Sequence, residues 1–271
     1  VVFMKILFVY TNINGLHADS FADGISMIMS VTKKAGYDIK QSQIFEKSEY
    51  EDFKKTVKSY KPDVIGFTAV SSQFSFVGEL SEIAKVIDPK VITVCGGIHP
   101  TLYPECVKEA KHLDVIFRGD SEVPFLNFLK SIGNNESWKE NESIAFQRED
   151  GTVKRNKLAA LPTPEDLDKM PFPDRETFDY SKILQKVGIA SFHFTRGCPF
   201  VCTYCSNIGI AKVYGQSRYN IRQASPEHSI KEIEDVVLKN PEVGRKYIIY
   251  LKDDIFGLNK KWRREFLALY R

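Results

Sequence analysis

The chain has 271 residues, 43% of them hydrophobic and 27% charged, an ordinary globular composition with room for two modest domains. A net charge of +3, evenly spread, gives no reason to expect a nucleic-acid partner. No stretch approaches the ~18 uninterrupted apolar residues of a membrane span, and "VVFMKILFVY" lacks the basic region and cleavage site of a signal peptide, so a cytoplasmic protein is expected.

"KILFVYTN" (5–12) is an apolar run ending in turn residues, a strand, and is followed by a helical stretch near 19–35. "GYDIKQSQIF" (36–45) reads as a second strand and "YEDFKKTVKSY" (50–60) as a helix. "PDVIGFTAVSS" (62–72) is β-branched and apolar, and "VGELSEIAKVID" (77–88) is amphipathic at helical period. "KVITVCGGIHPT" (90–101) is a strand running into a glycine turn, "PECVKEAKHL" (104–113) a helix with proline in its first turn, "DVIFRGDSE" (114–122) a last strand and "VPFLNFLKSI" (123–132) a last helix. Continuous apolar strands alternating with helices imply a parallel sheet covered on both sides, a Rossmann-like α/β domain over 1–135.

Residues 136–188 differ. "ESIAFQREDGTVKRN" (142–156) alternates around an Asp-Gly turn and predicts a hairpin. "LPTPEDLDKMPFPDRETFDY" (161–180) carries four of the chain's 12 prolines, too many for a long element. Leu167, Met170, Phe172, Phe178 and Tyr180 make it an anchored inter-domain connection rather than a disordered linker. From 189 the βα rhythm returns: "IASFHFTRGC" is a strand, and "SPEHSIKEIEDVVLKN" (225–240) a helix with Ser225 as N-cap and Pro226 at its first position. "KYIIYLKDDIF" (246–256) is the next strand and "NKKWRREFLALYR" (259–271) opens a further helix. Two βα units cannot close a barrel, so 189–271 reads as the incomplete start of a second domain, with further chain or a partner expected to complete it.

Three of five cysteines, Cys198, Cys202 and Cys205, fall in "TRGCPFVCTYCSN" (195–207), with spacing C-x3-C-x2-C. An odd, clustered set argues for a metal or redox site rather than a disulfide framework. So tight a loop lets three thiolates converge on one iron–sulfur cluster or one soft metal ion. Structural zinc would need a fourth ligand; His193 is nearest, but it lies on the strand well before the loop. The remaining alternative is three unrelated buried cysteines. Cys95 and Cys106 read as buried apolar residues. The basic run Lys260, Lys261, Arg263 and Arg264 reads as a solvated helix face.

This loop, with Tyr204 just before its last cysteine and Arg196-Gly197 before its first, resembles the signature of radical S-adenosylmethionine enzymes. The resemblance implies a 4Fe–4S cluster on Cys198, Cys202 and Cys205, whose fourth iron takes the amino and carboxylate groups of S-adenosylmethionine. One electron then cleaves the sulfonium to a 5′-deoxyadenosyl radical. It places Tyr204 by the adenine and implies an electron donor such as flavodoxin or ferredoxin. The family's Gly-Gly-Glu-like stretch is absent; "LKDDIFGLN" stands in its place, and Asp253-Asp254 resembles the variant of the cobalamin-associated branch. One of the two carboxylates would take the cationic amino group; as a turn or helix cap, adjacent aspartates need no ligand at all.

"VCGGIHPT" and "DVIFRGDSE", upstream of such a loop, resemble the cobalamin-binding domain of enzymes related to anaerobic Mg-protoporphyrin ester cyclase and cobalamin-dependent radical methyltransferases, a likeness spanning about residues 4–270. It places cobalamin outside the carboxyl ends of the strands, lined by Thr68, Ser71, Ser72, Gly96, Gly97, His99, Thr101 and Gly119. The D-x-H-x-x-G loop of many cobalamin proteins is missing: in "NINGLHADSFADG" His17 and Asp19 stand in the wrong order, so cobalamin is expected without a histidine ligand from that loop. The resemblance implies the first βα units of a partial (β/α)6 barrel after the Rossmann-like sheet, and a small-molecule or peptide substrate. Methyl transfer to an unactivated carbon or phosphorus centre is the expected reaction, with radical cyclisation or rearrangement next. Methylthiotransfer would need further N-terminal cysteines, where only Cys95 and Cys106 occur. A non-catalytic cobalamin or iron–sulfur module is the reading from another class.

Overall fold

The computed structural model describes residues 4–13 and 21–271. The described residues fall into two compact units: 4–13 with 24–160, and 21–23 with 161–271.

The first unit runs β1 (Lys5–Thr11), α1 (Asp23–Lys34), β2 (Asp38–Ile44), α2 (Tyr50–Tyr60), β3 (Val64–Thr68), α3 (Phe74–Ile87), β4 (Ile92–Gly96), α4 (Ile98–Leu102), β5 (Val115–Phe117), α5 (Glu122–Gly133), β6 (Ile144–Gln147) and β7 (Val153–Arg155). Its seven strands form one sheet in the order β2-β1-β3-β4-β5-β6-β7, parallel from β2 to β5 and antiparallel through the hairpin β6-β7. The strands predicted from continuous apolar runs are the central ones, because only a strand covered on both faces can bury every residue. The polar run "DIKQSQI" takes the edge, where unpaired backbone meets water.

Leu7, Val9, Phe53, Ile65, Phe67, Leu80 and Ile116 pack on one face. By strand alternation Phe8 and Phe117 point to the other, where they meet Phe125 at ring separations of 5.7 and 5.5 Å. Each such ring contributes about 1.5–3 kcal/mol by leaving water. Since β2 lies on one side of β1 and β3 on the other, the strand order switches direction between β1 and β3. That is where α/β sheets of this winding open a crevice at their carboxyl ends.

Two expectations are corrected in this unit. The helix over 104–113 is only a 3-10 turn, Pro104–Lys108. The chain must turn again at once, because the His112 carbonyl accepts from Thr93 Oγ1 (2.6 Å) and the Asp114 carboxylate from the Thr93 amide (2.8 Å), fixing the entry to β5. The sheet is also not wholly parallel. The 142–156 hairpin forms as expected, but it hydrogen-bonds to β5 and lengthens the sheet.

The second unit runs α6 (Pro164–Lys169), α7 (Tyr180–Val187), β8 (Ile189–Phe192), β9 (Thr195–Arg196), α8 (Ser206–Val213), β10 (Arg222–Gln223), α9 (Pro226–Lys239), β11 (Ile248–Leu251) and α10 (Lys260–Leu269). β8 and β11 pair in parallel from Ile189↔Ile248 to Phe192↔Leu251, the pattern of successive βα units. Prolines cut the 161–180 stretch as expected: α6 is six residues long, capped by Thr163, which exchanges bonds with Asp166. Leu167, Phe178 and Tyr180 are buried anchors. Sequence reasoning missed Arg175, whose buried guanidinium lies over the rings of Phe21, Tyr180 and Phe192 at 4.9, 5.4 and 5.0 Å and donates to Glu232 Oε1 at 2.7 Å. Burial pushes the Glu232 carboxyl above its ordinary range against this partner.

The strand expected over 189–198 is broken in two. β8 stops at Phe192 and β9 turns away to pair antiparallel with β10, because Asp253 captures the amides of Phe194 and Thr195. Helix α8 has no counterpart among the expected elements. Gly209 in its middle and apolar residues spread around its short length hide any helical stripe. At α9 Ser225 caps as expected, accepting from the His228 amide at 3.1 Å.

Candidate functional site

In the first unit the ends of β3, β4 and β5 converge. Gly96 closes β4, and its carbonyl accepts from the Ala69 amide (3.1 Å); the Ala69 carbonyl accepts from the His99 amide (3.2 Å). Between these bonds Gly97 adopts φ 106°, ψ −173°, a region open to glycine alone. A Cβ there would lie 2.6 Å from the Ala69 carbonyl oxygen and 3.1 Å from Thr68 Oγ1. Thr68 and Gly97 are thus neighbours, and the glycine turn is required by close backbone approach.

Thr101, buried on α4, donates to the Gly97 carbonyl (2.7 Å) and accepts from the Gly119 amide (3.0 Å), joining the β4 and β5 loops. Gly119 takes φ 74°. Ser71 and Ser72 stand exposed on the 3-10 turn before α3. Ser71 Oγ meets His99 Nδ1 at 3.0 Å, while His99 Nε2 is buried without a hydrogen-bond partner. The ring packs on Phe74 at 4.6 Å, and burial holds its pKa below the ordinary histidine value despite Glu109. A groove of about 680 Å³ opens beside it, lined among others by Ser71, Phe74, His99 and Glu109.

Thr68 and Gly96 thus end β3 and β4, and Ser71, Ser72, Gly97, His99, Thr101 and Gly119 lie on the turns and the short helix α4 that follow β3, β4 and β5. Two further residues meet at the same end of the sheet. Gln73 Nε2 donates to Asn12 Oδ1 at 3.0 Å, a buried bridge between the ends of β1 and β3 at the switch point. His17 and Asp19 lie outside the described residues. A glycine-only cradle, an unpartnered imidazole nitrogen and a groove alongside suit a ligand seated on the strand ends.

In the second unit the cysteine loop leaves β9 through Gly197, at φ 88°, where a Cβ would come within 2.3 Å of the Asn220 carbonyl oxygen. Cys198 and Cys205 are half-buried, Cys202 is exposed, and none is in a disulfide. Cys205 is the N-cap of α8, and its amide donates to the Cys202 carbonyl at 3.1 Å. A thiolate or anionic cluster there gains from the helix dipole. Among the described residues no group of three or more histidine, cysteine, aspartate or glutamate side chains is drawn together tightly enough to hold a metal ion. The donor set, three soft accessible thiols on one loop, fits an iron–sulfur cluster. Tyr204 is 91% exposed, so it is not core material. Exposed Phe200 and Val201 accompany it.

Asp253 and Asp254, equivalent in the sequence, differ in the structure. Asp253 Oδ1 accepts from the amides of Phe194 (3.0 Å) and Thr195, and its Oδ2 is buried without a partner. Burial raises its pKa, against the lowering by Thr195 and the nearby His193. Asp254 is exposed, and its Oδ2 accepts from Asn207 Nδ2 at 2.7 Å. Cys95 and Cys106 are fully buried as expected; burial raises both thiols, that of Cys106 to about 12, so neither is a thiolate donor.

Residues 15–129 match the B12 binding domain family. The chain is 28% identical over 263 residues to the anaerobic magnesium-protoporphyrin IX monomethyl ester cyclase of Rubrivivax gelatinosus, covering 89% of this chain and 44% of that protein. It is 25% identical over 257 residues to the cytidylyl-2-hydroxyethylphosphonate methyltransferase of Streptomyces wedmorensis, covering 78% and 47%. The chain thus spans less than half the length of these two relatives. Solved structures share its fold, among them the following two. The cobalamin-dependent S-adenosylmethionine radical enzyme OxsB, with aqua-cobalamin and S-adenosylmethionine bound, matches at TM-score 0.80 and 17% identity, over 99% of this chain and 37% of that one. The radical S-adenosylmethionine methyltransferase TsrM from Kitasatospora setae, with cobalamin and a [4Fe-4S] cluster, matches at TM-score 0.73 and 18% identity, over 98% and 50%. No helix among the described residues is long and apolar enough to cross a membrane.

Proposed function

We propose, from the premise that this chain resembles the cobalamin-binding branch of the radical S-adenosylmethionine enzymes, that it is the cofactor-binding portion of a cobalamin-dependent radical enzyme. Its reaction is methyl transfer to an unactivated carbon or phosphorus centre. The observation that carries the reading is the cysteine loop itself. Three accessible thiols follow the first of two adjacent parallel strands, and two carboxylates end the second. When bound, the cluster supplies an electron to the sulfonium of S-adenosylmethionine and cobalamin supplies a methyl group.

Cys198, Cys202 and Cys205 hold the iron, and three protein thiolates leave one coordination position for an exogenous ligand. Tyr204 offers its backbone and exposed ring to the adenine, and Asp253 or Asp254 an anionic oxygen to the amino group. Thr68, Ser71, Ser72, Gly96, Gly97, His99, Thr101 and Gly119 line the cobalamin crevice, Gly97 by admitting the cofactor close to backbone. Residues 1–135 form the cobalamin-binding domain and 189–271 the beginning of the radical domain, with 136–188 between them. Reduction comes from a flavodoxin- or ferredoxin-type donor, and the substrate is a small molecule or peptide. Radical cyclisation is the second reading, favoured by the likeness to the Rubrivivax cyclase.

Anaerobic reconstitution with iron and sulfide, followed by electron paramagnetic resonance with and without S-adenosylmethionine, tests this. A 4Fe–4S signal that changes on adding S-adenosylmethionine is expected. A signal indifferent to it overturns the enzyme reading in favour of a non-catalytic iron–sulfur module, and a chain that takes up only zinc overturns both. Hydroxocobalamin retained through gel filtration is expected; its loss overturns the assignment of the first unit.

A further inference from the structure

We infer that Asp253 and Asp254 form a two-point clasp that sets the span of the cysteine loop, Asp253 holding its entry and Asp254 its exit. The two side chains follow β11, one strand over from the loop's own strand β8. Asp253 Oδ1 takes the amides of Phe194 and Thr195, the residues just before Arg196-Gly197-Cys198. Asp254 Oδ2 takes the side-chain amide of Asn207, two residues past Cys205 in the first turn of α8. All three cysteines lie between the two grips.

The entry is fixed from its other side as well. Thr195 Oγ1 accepts from Gln223 Nε2 at 3.0 Å, and Gly197 abuts the Asn220 carbonyl. Bonds between a carboxylate and backbone amides are of the stronger, charge-assisted kind. Drawing three thiols onto one cluster costs the conformational freedom of the segment that carries them. A loop with both ends fixed has lost part of that freedom beforehand, so the clasp lowers what remains. Adjacent aspartates suit a clasp because two neighbouring carboxylates can serve separate partners. One can then face inward to backbone and the next outward to a helix.

The clasp also separates two residues that the proposed function leaves interchangeable. Asp253 is a positioning residue, enclosed and bonded to backbone amides. Asp254 is the accessible carboxylate, shared between Asn207 and any cationic group that reaches it. The clasp itself is a property of the chain alone; its consequence for iron retention rests on the cluster reading above.

Two measurements test it on the full chain. In metal-free protein, amide exchange at Phe194 and Thr195 is expected to speed by about 10- to 100-fold in Asp253→Ala, the loss of a charged hydrogen-bond acceptor. Asp253→Asn, which keeps a neutral acceptor of the same shape, should fall between it and the wild type. In reconstituted protein, Asp253→Ala, Asp254→Ala and Asn207→Ala are each expected to lose iron to a chelator about 10- to 100-fold faster. The Asn207→Ala/Asp254→Ala double variant should be no worse than either single one. Unchanged exchange at both amides in Asp253→Ala overturns the entry grip. Normal iron retention in Asn207→Ala beside rapid loss in Asp254→Ala overturns the exit grip. Should Asp253→Ala fail to fold, Asp253→Asn against wild type decides the entry grip by the same exchange. A wild-type chain that takes up no iron refutes the cluster reading instead, and the exchange result still decides the grip at Asp253.

Discussion

Gly97 and Gly197 hold corresponding places in the two units. Each follows a strand, each has positive φ, and each has a backbone carbonyl oxygen where a Cβ would go, that of Ala69 at 2.6 Å and of Asn220 at 2.3 Å. What surrounds them differs. Around Gly97 the loops after β3, β4 and β5 are bonded to one another through Ala69, Thr101 and Gly119, so the crevice is assembled by the sheet. After Gly197 the chain runs out into a loop with Phe200, Val201, Cys202 and Tyr204 exposed, gripped at its ends. A site made by packing has its geometry in place through many partners. A site made by a short motif has its chemistry in place and only its boundaries fixed.

The contrast can be broken most sharply at the thiols. Replacing Cys198, Cys202 or Cys205 with alanine is expected to abolish the cluster's visible absorbance while hydroxocobalamin retention stays at wild-type level. Alanine at Cys95 or Cys106 should leave the absorbance intact; an equal loss there would mean that the thiols of the two units are not separate in role. Next come the glycines. Gly97→Ala should destabilise the first unit by more than the roughly 1–3 kcal/mol of a forbidden backbone conformation, since a carbonyl oxygen also has to move. It should weaken cobalamin retention and spare iron. Gly197→Ala should do the reverse, read as separate unfolding transitions and separate cofactor contents.

Thr101→Val comes after these. It removes the donor to the Gly97 carbonyl and the acceptor of the Gly119 amide, an expected cost of about 1–3 kcal/mol in chemical denaturation. The smallest effect is a pH dependence. The folded pKa of His99 is held below the ordinary 6.5 by burial, so the neutral ring is favoured in the fold. Its contribution is present above 6.5 and lost as pH falls through the folded value. Thermal melts of the first unit should therefore lose stability on acidification below 6.5, and His99→Phe should flatten that slope. A slope unchanged in His99→Phe would assign it to another group.

The central strands, the amphipathic helices and the cap at Ser225 were legible because each rests on local chemistry: apolar runs, a 3.6-residue period, an oxygen placed to receive an amide. The same holds for the three cysteines, whose spacing and residue type are themselves the signal. The breaks were not legible. Nothing near Phe194 announces that β8 must stop, since the carboxylate responsible is at 253. The segment 104–113 has helical composition and yields to the demands of Thr93 and Asp114. Arg175 looks like a surface arginine until three rings and Glu232 enclose it.

By itself, then, the sequence determined the α/β class, the clustering of three cysteines and the glycines at the strand ends, because residue type and short-range spacing carry those properties. Tertiary structure alone decided that Asn12 meets Gln73, that Thr101 ties two loops together, and that Asp253 turns inward while Asp254 turns out. Each of these is a hydrogen bond between distant segments. Its partner is chosen by how the strands pack, and no local pattern encodes that choice.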